Sequence, residues 1–186
     1  MSKRMLFSTI GLTCSLLQPL AAQTITDSIL GDRPGARYGA VFDALGDLDG
    51  DGLPELVVGD PEDDTTGSNC GRALVIRGSD KSTIFTFYGD QHGDRLGTAV
   101  SAAGDVDADG IPDLLVGSTA DNEGRGAAHV FSGASGMLLH YQRGLAVGDD
   151  FAFDLAALGD IDGDGFGDYV VGVPGRTVAG VGSDAG

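Results

Sequence analysis

One pattern constrains this chain more than any other: it repeats itself. GDLDGDGLPELVVG begins at Gly46, GDVDADGIPDLLVG at Gly104 and GDIDGDGFGDYVVG at Gly159, so the copies stand 58 and 55 residues apart. A second landmark keeps the same register upstream, as GDRPGARYG (residues 31–39), GDQHGDRLG (89–97) and GLAVGDDFA (144–152). A fixed period of this size marks a repeat architecture in which each unit buries its apolar face on its neighbours.

Within a unit the signals are for short strands between turns. RYGAVFDALGD, ELVVGD, RALVIRG and STIFTFYGD follow in order in the first unit, and LGTAVSAAGD, DLLVGS, AAHVFSG and MLLHYQ in the second. These runs are short, partly β-branched or aromatic, and bounded by Gly, Asp or Pro. No window sustains a helical apolar period, and 32 glycines disfavour helices. The predicted fold is all-β, with propeller blades of four antiparallel strands. A tandem of small independent β-modules is the alternative; the four-strand count and the absence of linkers favour blades.

The acidic stretch between the first two strands has its own logic. Counted from its first aspartate, positions 1, 3, 5 and 9 are Asp47, Asp49, Asp51 and Glu55; then Asp105, Asp107, Asp109 and Asp113; then Asp160, Asp162, Asp164 and Asp168. Position 6 is glycine each time, and position 7 is Leu53, Ile111 or Phe166. Carboxylates this close repel unless a cation sits among them. Ca²⁺ takes six to eight oxygens, and a curled loop can supply them from alternate side chains plus the position 7 carbonyl, with glycine closing the turn. An EF-hand would need a bidentate Glu at position 12 inside a helix, whereas Val58, Val116 and Val171 stand there in strand-like runs. Mg²⁺ fits less well because it demands near-octahedral geometry and keeps its waters. Twelve of the 28 acids fall in these three windows, which argues against a merely solvated acidic turn. Three Ca²⁺ sites are therefore expected.

With these residues in place, the chain resembles the FG-GAP repeat family of integrin alpha β-propellers and of many bacterial exported proteins. The FG position reads Tyr38-Gly39, Leu96-Gly97 and Phe151-Ala152; the GAP position reads Gly59-Asp60-Pro61, Gly117-Ser118-Thr119 and Gly172-Val173-Pro174. The resemblance implies a structural calcium in each loop and a propeller used for adhesion or ligand binding.

The N-terminus reads as an export signal. Lys3 and Arg4 precede an apolar run over residues 5–17, and small residues before Gln23 offer cleavage after Ala22. The run is too short for a membrane span, and Pro19 ends it. Loss of residues 1–22 takes the formal charge from −17 to −19 and leaves Cys70 as the sole cysteine, so no intrachain disulfide can form. The acidic balance argues against nucleic acid and anionic membranes as partners.

No G-x-S-x-G, P-loop or H-E-x-x-H occurs, and His92, His129 and His140 fall at unrelated repeat positions. A catalytic site is needed once, yet the acidic loop occurs three times. The expected function is an exported, calcium-binding, non-enzymatic binding or adhesion module for a protein or polysaccharide ligand. The alternative is an accessory propeller of a secreted enzyme, such as a polysaccharide- or lipid-anchor-acting hydrolase or lyase. The expected layout is a leader at 1–22 and a repeat region at 23–186. That region holds an orphan outer strand at 24–36, blades at 37–94 and 95–149, and a partial blade at 150–186. About two and a half blades make an open arc rather than a ring, as expected of a truncated or fragmentary propeller, with edges and faces free to self-associate.

Overall fold

The structure is a computed structural model and describes Ile29, Gly31 and residues 37–176. The expected leader, most of the expected outer strand at 24–36 and the chain beyond 176 lie outside the described residues. The described chain is almost entirely β. Strands β1 (Val41–Gly46), β2 (Glu55–Asp60), β3 (Arg72–Ile76) and β4 (Thr83–Tyr88) form one antiparallel meander. Strands β5 (Leu96–Gly104), β6 (Asp113–Ser118), β7 (Ala127–Phe131) and β8 (Leu138–Arg143) form a second. Strands β9 (Leu155–Gly159) and β10 (Asp168–Val171) pair as a third, two-stranded sheet. The one helical element among the described residues is a single turn, α1 (Asp121–Gly124), in the β6–β7 connection. These sheets are propeller blades, the third a partial one, and among the described residues they form no closed barrel.

The central strands are buried on both faces because their side chains serve two cores at once. One core lies between the first two sheets. There Leu45, Leu48, Val57 and Val75 meet Leu96, Leu114 and Val116, and Phe87 stacks on Phe131 with ring centroids 4.0 Å apart. The other lies between the second and third sheets, where Ala99, Ala103, Leu115 and Val130 meet Phe151, Ala152 and Leu155. Alternation along β5 divides these duties: Val100 and Ala102 face the first core, Ala99 and Ala103 the second.

A β-bulge interrupts the first hairpin of every sheet just before the acidic loop. The glycine at each of these points, Gly46, Gly104 and Gly159, has a positive φ. Such a bulge twists the strand end and re-aims the residue that follows. Here that residue is the first aspartate of the loop.

Candidate metal centres

Each loop folds around its position 1 aspartate. Asp47 accepts amide hydrogens from Gly50 (2.7 Å), Asp51 (3.1 Å) and Gly52 (2.9 Å). Asp160 does the same for Gly163 (2.7 Å), Asp164 (3.1 Å) and Gly165 (3.0 Å). Asp105 holds Asp109 (3.0 Å) and Gly110 (2.9 Å). The position 6 glycines have φ of 87°, 87° and 94°, which turns the chain back on itself. The local hydrogen bonds thus wind the loop tightly enough to bring its acids together.

Three of the four acids converge in every copy. Carboxylate oxygens of Asp47, Asp49 and Glu55 lie within 4.8 Å of one another, as do those of Asp105, Asp107 and Asp113, and those of Asp160, Asp162 and Asp168. The position 5 acids are not in these groups. One oxygen of Asp51, Asp109 and Asp164 accepts the position 7 amide of Leu53, Ile111 and Phe166, at 2.8, 2.8 and 2.9 Å. Ser79 hydrogen-bonds the Asp51 side chain, which with the Leu53 amide holds this carboxyl below its usual range.

The position 9 acid has a second task that sequence reasoning missed. Glu55 and Asp113 are wholly buried. One oxygen of each accepts the position 2 amide, Leu48 at 2.6 Å and Val106 at 2.7 Å; Asp168 holds Ile161 at 2.9 Å. The other oxygen reaches the residue two past the third strand, Gly78 (3.4 Å) or Gly133 (3.0 Å). A Cβ at either glycine would stand 2.3 or 1.9 Å from the carbonyl oxygen of Pro54 or Pro112, so the strand and the loop exit touch through backbone alone. Burial still pushes the Asp113 carboxyl up, against the opposing pull of the Gly133 and Val106 amides. The recurrence of glycine two places past β3 and β7 was the available signal.

Successive loops also touch. Gly167 donates to the Asp105 carbonyl at 2.6 Å, and Gly46 lies against Pro112 as Gly104 lies against Gly167. The three clusters therefore line one end of the arc. The first differs from the others: Arg77 Nε lies 2.5 Å from Asp49 Oδ2. Its repeat counterpart in the second sheet is Ser132.

The donor set is all oxygen, with three carboxylates per loop gathered on a turn that two further backbone–carboxylate ties keep closed. That set suits a hard divalent cation and offers nothing to a soft one. The residues present fit Ca²⁺, which when bound would neutralise the repulsion among the gathered acids.

At the opposite end of the blades, the β4–β5 and β6–β7 connections enclose a cleft of about 310 Å³, lined among others by Tyr88, Asp90, Asp94, Asp121, His129 and Tyr141. Burial raises the Asp94 carboxyl to about 6, with Asp90 and Asp121 adding to the rise. His129 is a satisfied strand residue: Nδ1 faces the Val116 carbonyl at 3.3 Å, Nε2 faces Asp121 at 3.6 Å, and burial holds its pKa down. His92 accepts the Ser68 amide at 3.0 Å and His140 is exposed. Cys70 is buried and free.

Stacked four-stranded meanders with a bulged, acidic first hairpin define a β-propeller blade repeat. Residues 47–116 match the family model of the FG-GAP-like repeat. The chain is 30% identical over 142 residues to integrin alpha-5 of Xenopus laevis, covering 70% of this chain and 13% of that protein. It is 33% identical over 143 residues to integrin alpha-PS2 of Drosophila melanogaster (69% and 10%), and 30% identical over 170 residues to integrin alpha-8 of Mus musculus (86% and 16%). The chain belongs to the FG-GAP repeat family, with blades of the integrin alpha type. It spans only about a tenth to a sixth of the length of these relatives.

Proposed function

We propose that this chain is an exported, non-enzymatic binding or adhesion module whose blades are held by calcium. The observation that carries the reading is the convergence of positions 1, 3 and 9 into the same three-carboxylate cluster in all three loops. The proposed ligands are Asp47, Asp49 and Glu55, then Asp105, Asp107 and Asp113, then Asp160, Asp162 and Asp168. Asp51, Asp109 and Asp164 complete each set through the oxygen not bound to an amide, and the carbonyls of Leu53, Ile111 and Phe166 add one more. The repeat units are residues 37–94, 95–149 and 150–186.

A structural role follows from position. The loops join the first two strands of each sheet, and in the first two sheets the position 9 acid ties the loop to the turn that follows the third strand. Metal binding there adds to folding stability, because the unfolded chain does not gather these oxygens. Export is supported by the basic and apolar pattern of residues 3–17, and the target is a protein or polysaccharide, as integrin-like propellers suggest. No described helix is long and apolar enough to cross a membrane. Thermal unfolding with and without a chelator tests the reading. Chelation should lower the melting temperature and Ca²⁺ should restore it; an unchanged melting temperature would refute the structural role.

A further inference from the structure

At position 8 the third acidic loop differs from the other two in a way that changes its hydrogen bonding. Pro54 and Pro112 stand there in the first two loops, and Gly167 in the third. Proline carries no N–H. Gly167 does, and donates it to the main-chain carbonyl of Asp105, in the second loop, at 2.6 Å. The junction between the first two loops lacks this bond: the Pro112 ring lies beside Gly46 with no hydrogen to give. Both ends of the bond belong to the proposed ligand sets. Asp105 is the position 1 acid of the second loop, and its side chain also holds the Asp109 and Gly110 amides. The Gly167 N–H shares one planar peptide group with the carbonyl of Phe166, the position 7 oxygen of the third loop.

We propose that the second and third loops bind calcium cooperatively through the Phe166–Gly167 peptide, and that the first loop binds alone. The coupling rests on calcium occupying these loops, as proposed above. A trans peptide turns its carbonyl and its N–H to opposite sides. The Phe166 carbonyl thus serves the third loop while the Gly167 N–H serves the second. A cation on that carbonyl polarises the peptide and strengthens the bond its N–H makes. It also fixes Phe166 and Asp168 on either side of Gly167, and with them the amide that steadies Asp105. The effect is reciprocal, because the linkage between two binding equilibria has one value in both directions. One hydrogen bond of ordinary strength sets its size at roughly fivefold in affinity. The matching peptides, Leu53–Pro54 and Ile111–Pro112, carry no hydrogen and cannot relay it.

Calcium titration of the full chain followed by heteronuclear NMR is the test, read at the amides of Gly52, Gly110 and Gly165, which the position 1 acids hold in the three loops. Asp160→Ala, which empties the third loop, should weaken binding at Gly110 roughly fivefold and leave Gly52 unchanged. Asp105→Ala should weaken binding at Gly165 by the same factor. Asp47→Ala should leave Gly110 unchanged. Gly167→Pro copies the first two loops, keeps every proposed ligand, and should make the second loop indifferent to Asp160→Ala. A second loop whose affinity ignores the third, or one that responds to it equally in Gly167→Pro, would overturn the coupling while calcium binding stands. Glycine amides that do not move with calcium at all would refute the metal reading and the coupling together.

Discussion

The carbonyl oxygen of Gly97 stands 2.2 Å from the point a Cβ on Gly59 would occupy. Gly97 closes the FG position of the second sheet, and Gly59 opens the GAP position of the first. The next junction repeats the contact with Gly117 and the Ala152 carbonyl, at 2.8 Å. The two dipeptides are thus the two sides of one blade-to-blade joint, in which backbone lies on backbone. Gly39 and Gly97 have φ of 78° and 86° at the FG position, and Ala152 adopts 63° at the cost that a Cβ incurs there.

The joint makes Gly59 intolerant of a side chain. Gly59→Ala should cost about 1–3 kcal/mol by overpacking, with a lower denaturation midpoint in urea. Gly93→Ala serves as the control: it has positive φ but open space around it, so only the backbone cost applies.

A buried ion group sits beside this joint. Arg72 lies 3.2 Å from Asp60 and 3.1 Å from Asp63, with all three side chains almost fully excluded from water. Removing the guanidinium takes its positive charge away from two buried carboxylates. Arg72→Met should destabilise by roughly 3–5 kcal/mol, measured by chemical denaturation. Adding Asp60→Asn and Asp63→Asn should recover a large part of that loss.

Arg77 should make the first metal loop the weakest. Its guanidinium already occupies Asp49, which raises the Arg77 pKa and competes with a cation for the same oxygen. Arg77→Ser, which installs the residue found at the matching place in the second sheet, should strengthen one of the three binding events and leave two unchanged. Titration calorimetry on the variant would show this directly, and an unaltered isotherm would contradict it.

The cleft acid gives a pH signature. Asp94 titrates at about 6 in the fold against an ordinary value of 3.8, with Asp90, Asp121 and His129 lining the same cleft. A carboxyl raised on folding binds more protons when folded, so its contribution to stability is fully present at low pH and is lost as pH rises through 6. Asp94→Asn should therefore gain on the wild type at pH 7, by on the order of 1 kcal/mol, and the gain should vanish as pH falls toward 4. A pH-independent difference would show that Asp94 is not the group responsible.

Much of this was legible because the repeat reports itself three times. The runs ELVVGD and DLLVGS match β2 and β6 residue for residue, since acid and glycine bound both. The acidic loops were equally plain, because alternate carboxylates followed by glycine leave few conformations. The features outside the repeat were not legible. Arg72 pairs with Asp60 and Asp63 only once strands β2 and β3 are in register, and its partner position in the second sheet is Ala127. Arg77 and Asp49 lie 28 residues apart and meet because the β3–β4 turn and the first acidic loop share one end of the sheet. The split between positions 1, 3 and 9 and position 5 depends on which carboxylate captures the position 7 amide, and spacing alone treats those acids as equals. The turn α1 (Asp121–Gly124) was invisible for another reason: four residues carry no period.

The central claim is that the three clusters are calcium sites, and calorimetric titration of the purified, chelator-stripped chain with Ca²⁺ tests it most directly. About three ions should bind per chain, with Kd roughly 10⁻⁴–10⁻³ M as in many extracellular modules. The Asp105→Ala variant should lose one of the three. No heat of binding at millimolar Ca²⁺, or full binding in that variant, would contradict it.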